Sequence, residues 1–137
     1  MTPQQIDLVK ASFAKVMPIA EQASTLFYGR LFELRPDYRR MFADDITEQR
    51  RKLMLTLATI VADLDKLEII GPMAADLGAR HEEYGVTAAD YAPVGEALIW
   101  TLRQGLGTGF TPAIEEAWTA AYALLSVAMH PGYRRAA

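Results

Sequence analysis

The chain has 137 residues, 51% of them hydrophobic, a formal net charge of −3 and no cysteine. That length fits one domain over 1–137, able to bury roughly two-thirds of its unfolded surface. The absent cysteines exclude disulfides, thiolate zinc sites, iron–sulfur clusters and cysteine nucleophiles. The charge balance gives nucleic acid or an anionic membrane no electrostatic support as a partner, and without an apolar leader or a run of about 18 apolar residues a cytoplasmic protein with no membrane span is expected.

Thr2-Pro3-Gln4-Gln5 reads as a helix start, with Thr as cap and Pro in the first turn. Ile6, Val9, Phe13, Val16 and Met17 then recur at helical spacing. Pro18 interrupts, and a second helix runs to about Leu34, its inward face Ala20, Ala23, Phe27 and Leu31, flanked by Leu26 and Tyr28. Arg35-Pro36 forces a corner, since the residue before proline avoids helical geometry. A short turn ends at Met41-Phe42, and Asp44, Asp45 and Thr47 are candidate caps for a long helix from about Thr47 to Leu64. Gln49, Leu53 and Leu57 stand four apart along it, with Ile60, Val61 and Leu64 continuing the apolar stripe.

Asp65–Glu68 reads as a polar break and Gly71-Pro72 as the opening of the next segment. That segment carries His81, with Leu77 four residues before it on the same face and Gly78 leaving room beside it. Gly85 and Val86 fit a left-handed helix stop followed by an apolar residue. Thr87 and Asp90 form a capping pair before Tyr91, Val94, Leu98 and Leu102. Gly105, Gly107 and Gly109 read as a loop, Thr111-Pro112 as another helix start, and Ile114, Trp118, Ala121, Tyr122 and Leu125 as the last apolar face, stopped by Pro131-Gly132. No alternating run is bounded by hairpin signals. The reading is one all-α domain of six or seven helices with short loops.

A histidine on an apolar helical face has two readings: a core imidazole satisfied by a carbonyl, or a ligand to metal or haem iron. The other histidine, His130, reads as a C-terminal surface residue. Catalytic patterns are missing: there is no Gly-x-Ser-x-Gly, phosphate loop or His-Glu-x-x-His. The adjacent acid pairs Asp44-Asp45, Glu82-Glu83 and Glu115-Glu116 diverge by about 100° on a helix and read as solvated faces.

Several pieces in order resemble bacterial single-domain globins, the lineage of Vitreoscilla haemoglobin, Hell's Gate globin and the haem domain of flavohaemoglobins. Leu26-Phe27-Tyr28 resembles the family's second-helix segment, whose tyrosine enters the distal pocket. Arg35-Pro36 with Phe42 resembles the proline corner and the phenylalanine stacked on haem. Gln49 to Leu53 resembles the distal helix, His81 with Tyr91 and Val94-Gly95-Glu96 the proximal helix and the start of the next, and Ala117-Trp118 with Tyr122 the last helix.

The resemblance implies a globin fold around haem b (iron protoporphyrin IX), with His81 as the metal ligand. It makes Phe42, Leu53, Leu57, Leu77, Val86 and Val94 an apolar slot, puts Tyr91 beside the proximal histidine, and offers Lys52 and Arg80 to the propionates. Tyr28 and Gln49 would stabilise a bound ligand. O2, CO and NO are the implied ligands, with reversible O2 binding and NO dioxygenation to nitrate as the activity. The resemblance is confined to the haem-domain half, so a separate electron-donating reductase is expected, and a monomer or weak dimer. A haem-based gas or redox sensor and a haem-free helical interaction module are the alternatives.

One departure from the family pattern and one contrast with another globin lineage stand out. The family's C-terminal acid falls near Arg135, and no acid follows Glu116. Neuroglobin-like proteins close the sixth iron position with histidine, where this chain has Gln49.

Overall fold

Thr2 opens α1 (Pro3–Val16) as its sequence predicts: its hydroxyl accepts from the Gln5 amide, and the Gln5 side chain accepts from the Thr2 amide. Pro18 interrupts the first helix, as expected. It sits in a 3-10 turn, Met17–Ile19, that leads straight into α2 (Ala20–Leu34). Arg35 leaves helical geometry at φ −137° and ψ 83°, and Pro36–Met41 form a second 3-10 turn. Then come α3 (Thr47–Ala62), α4 (Leu67–Glu83), α5 (Tyr91–Leu106) and α6 (Pro112–Met129), with no strand among the described residues. This computed structural model describes residues 1–130, so the stop expected at Pro131-Gly132 and the Arg135 position lie outside the described residues.

Three boundaries differ from expectation. Helix α3 ends at Ala62, short of Leu64. Helix α4 begins at Leu67, inside the expected break, and carries Pro72 within it. The gain is burial: extending the helix back puts Ile70 in line with Ala74 and Gly78, all three buried. Gly71 precedes the proline and has no Cβ to clash with its ring. Gly105 belongs to α5, and only Gly107–Gly109 form a turn.

Among the described residues, the core gathers from five of the six helices. Val9, Phe13 and Val16 of α1 meet Phe27 and Leu31 of α2, Leu98 and Leu102 of α5, and Trp118 of α6, with Met54 and Val61 of α3 closing it. The Trp118 indole N–H donates to the Ser12 hydroxyl at 2.8 Å, so the one polar atom of that buried ring is satisfied. Helix α4 contributes nothing to this cluster. Its one substantial packing partner is α6, and the reason is Gly78. A Cβ there would lie 1.8 Å from the Met129 carbonyl oxygen, so only glycine lets the two backbones come this close. The room expected beside His81 is therefore filled by the end of α6.

Candidate functional site

Helix α4 ends as its sequence directs. Gly85 takes φ 90°, the Val86 amide donates to the His81 carbonyl at 3.1 Å, and the Gly85 amide donates to Glu82 at 3.0 Å. This paired stop fixes His81 in the last turn. On α4 the half-buried Met73 and Leu77 stand one position before the buried Ala74 and Gly78, so about 100° around the helix, and the half-buried His81 continues their stripe four residues on. Neither Leu77 nor Val86 packs on the core cluster.

The His81 imidazole is anchored by its Nδ1, 2.7 Å from the Leu77 carbonyl oxygen. A carbonyl only accepts, so Nδ1 carries the hydrogen, and in the neutral ring the lone pair lies on Nε2. The carbonyl contact of the first reading is present, and it leaves the second reading open, because Nε2 is the ring nitrogen that a ligating histidine would use.

On α3 the pattern repeats. Met54 and Val61 are buried, while Gln49, Leu53 and Leu57 are half-buried beside them. The Gln49 amide nitrogen donates to the Tyr28 hydroxyl at 3.1 Å, joining residues 21 positions apart. Tyr28 is 4% exposed. Burial pushes its phenol up, more than the Gln49 hydrogen bond lowers it, so the hydroxyl holds its proton at neutral pH. Phe42 stands edge-on to the Tyr28 ring at 5.6 Å, and Phe32 touches both, 6.0 Å from Tyr28 and 5.6 Å from Phe42. Phe32 is a member of this aromatic wall that its place beside Leu31 did not reveal.

The structure so brings Tyr28, Gln49 and Phe42 together and sets His81, Leu77 and Val86 as a second group. Among the described residues no hydrogen bond, ion pair or ring contact joins the two groups. Val94, Leu53 and Leu57 are half-buried and rest on the core cluster. Lys52 and Arg80 are exposed and make no ion pair with a described residue, whereas the neighbouring Arg51 lies 3.6 Å from Glu48. Tyr91 is buried, and its carbonyl accepts from the Tyr122 hydroxyl at 2.6 Å. Burial, helped by the Glu82 charge, raises the Tyr91 phenol.

His130 is not a surface residue. Its side chain is 18% exposed, its ring meets Tyr91 edge-on at 5.7 Å, and its Nε2 lies 3.4 Å from a Glu82 carboxylate oxygen. The cause is again Gly78, which lets the last turn of α6 lie on α4 and delivers His130 to the end of that helix.

The donor set tests which group these residues fit. No cluster of three His, Cys, Asp or Glu that could hold a metal ion occurs among the described residues. A bare ion has no cage here. An iron porphyrin brings four nitrogens of its own and asks the protein for one imidazole, an apolar wall and cations near its carboxylates. His81, the half-covered stripes and the unpaired Lys52 and Arg80 fit that request. No helix among the described residues is long and apolar enough to cross a membrane.

Comparison with known proteins agrees with this fit. The globin family profile matches residues 25–129. Neuroglobin-1 of Oncorhynchus mykiss is 26% identical over 98% of this chain and 94% of its own length. The neuroglobin of Chaenocephalus aceratus is 26% identical over 94% and 90%. Among solved structures, an engineered carbene transferase derived from RmaNOD, a proposed nitric oxide dioxygenase of Rhodothermus marinus, superposes with a TM-score of 0.85 at 24% identity, covering 99% of this chain and 95% of its own. A bacterial globin from Campylobacter jejuni gives 0.83 at 20% identity, over 98% and 97%.

Proposed function

The chain belongs to the globin family, and we propose that it is a haem protein that binds O2 reversibly through His81 and turns over NO to nitrate when a separate reductase supplies electrons. Family membership implies haem and a small gaseous ligand; the rest of this reading is built on the residues. When bound, haem supplies the ferrous iron at which O2 and NO combine to nitrate, leaving ferric iron that needs one electron.

The observation that carries the reading is the Gln49–Tyr28 hydrogen bond. The amide donates into a lone pair of the phenol, so the phenol keeps its own hydrogen to donate elsewhere. Two donors then converge where partial negative charge develops on a ligand, in a water-poor setting that strengthens such bonds. On the other side, the Leu77 carbonyl holds the imidazole plane and its tautomer, and makes Nε2 a better donor to iron. Phe42, Leu53, Leu57, Leu77, Val86 and Val94 exclude water from the slot. Lys52 and Arg80 supply charge for the propionates. Amides ligate iron poorly, and the Tyr28 phenol stays protonated, so no side chain on the distal side competes for the sixth position near neutral pH.

The test uses the full chain supplied with haem. The ferrous protein without ligand is expected to be five-coordinate or water-bound, and to give a normal CO spectrum that His81→Ala loses. NO added to the ferrous protein under O2 is expected to yield nitrate one for one with ferric haem. A low-spin six-coordinate ferrous spectrum at pH 7 overturns the open site. Failure to form nitrate leaves ligand binding without turnover, the property of a sensor.

A further inference from the structure

One polar chain lies outside the pocket groups and outside every role given so far. The Arg35 guanidinium grips Asp37 by two hydrogen bonds, at 3.0 and 2.9 Å. It lies 4.5 Å over the Tyr38 ring and donates to the Tyr38 hydroxyl at 3.2 Å. That hydroxyl spends its own hydrogen on one oxygen of Asp90, 52 residues away. The other Asp90 oxygen accepts from the Thr87 amide at 2.8 Å. One carboxylate therefore serves two purposes. It caps the 3-10 turn Ala88–Asp90, and it receives a buried tyrosine from the turn Pro36–Met41.

Among the described residues no other hydrogen bond or ion pair joins these two corners. Each corner carries a pocket residue four positions away: Phe42 follows Tyr38, and Val86 precedes Asp90. We propose that Tyr38 and Asp90 are positioning residues that tie the two corners flanking the haem pocket, and that breaking their bond speeds the exit of haem. This rests on the haem-binding reading above. The bond is charge-assisted, and losing such a bond costs enough to change a rate about tenfold or more.

Tyr38→Phe is the informative variant, because it keeps the ring and its Arg35 stacking and removes only the hydroxyl. In the full chain without haem, hydrogen exchange is expected to quicken about tenfold at the amides of 42–46 and 86–90, with α1 and α6 unchanged. In the haem-loaded chain, transfer of haem to an excess of an acceptor apoglobin is expected to quicken about tenfold. Adding Asp90→Asn to Tyr38→Phe should add little, since both changes break one bond. Tyr84→Phe, at a residue 73% exposed, is the control and should change neither readout. Faster exchange in all six helices would mark a general loss of stability and overturn the proposal, as would unchanged exchange at the corners. Faster corner exchange with unchanged haem transfer would overturn the role at the pocket. If the chain takes up no haem, the proposed function falls first, and the exchange result still decides the tie.

Discussion

Replacing Tyr28 by Phe removes one hydroxyl from a side chain that is 4% exposed and leaves its ring against Phe27, Phe32 and Phe42. Packing is kept, so the change isolates the hydrogen bond. A bond to a charged or partly charged acceptor is worth about 1.5–3 kcal/mol, and about 1.4 kcal/mol is tenfold. Dissociation of O2 should therefore quicken by roughly ten- to a hundredfold. The structure narrows this to the lower end. The Gln49 amide spends one of its two N–H donors on Tyr28, and once the hydroxyl is gone that hydrogen too is released to the ligand. Gln49→Leu should quicken dissociation less, and the double variant should exceed the sum of the two singles, because each donor covers for the loss of the other. Stopped-flow displacement of O2 by CO measures the rate. Bound CO is less polarised, so its own dissociation should barely change. Equal acceleration of O2 and CO would refute the reasoning and make Tyr28 a steric gate.

Gly78→Ala should force α4 and α6 apart, because the Cβ would meet a backbone carbonyl that cannot turn aside. Overpacking of this kind costs about 3 kcal/mol, and an unchanged urea midpoint would contradict the close approach. The Tyr38 phenol is pushed up to about 12 by burial and by Asp90, against 10.0 when unperturbed. A phenol raised in the folded state holds its proton longest there, so its contribution is intact below pH 10 and is lost between pH 10 and about 12. Tyr38→Phe should flatten that part of the alkaline stability curve in a denaturation series.

The parts legible in the sequence are those decided locally. Thr2 with Gln5 and Thr87 with Asp90 each open a helical turn, and Gly85 closes α4, by chemistry local in the chain, and the structure shows all three. Helical periodicity placed Gln49, Leu53 and Leu57 on one stripe and Leu77 with His81 on another. What stayed hidden depends on contacts across the chain. Tyr38 sits among Asp37, Arg39 and Arg40, where no apolar stripe marks it, and its place in the core and its bond to Asp90 come from contacts across the chain. His130 follows the last apolar residues and reads as exposed, until a missing side chain at Gly78 draws the end of α6 onto α4. Pro72 reads as a helix start because backbone chemistry favours that place, and burial of Ile70 outweighed it.

Helix α4 holds the iron-binding candidate His81 yet lends no residue to the central cluster and leans chiefly on α6. A segment fastened along one side is the part of a protein that opens at least cost. On the proposed function, haem held by His81 would add a second fastening, and by mass action it would steady α4 more the further its concentration exceeds the dissociation constant. The amount of this protein a cell keeps should then follow its haem supply. With haem scarce, α4 should lift more often, expose its buried Ile70 and Ala74, and be the segment proteases cut first.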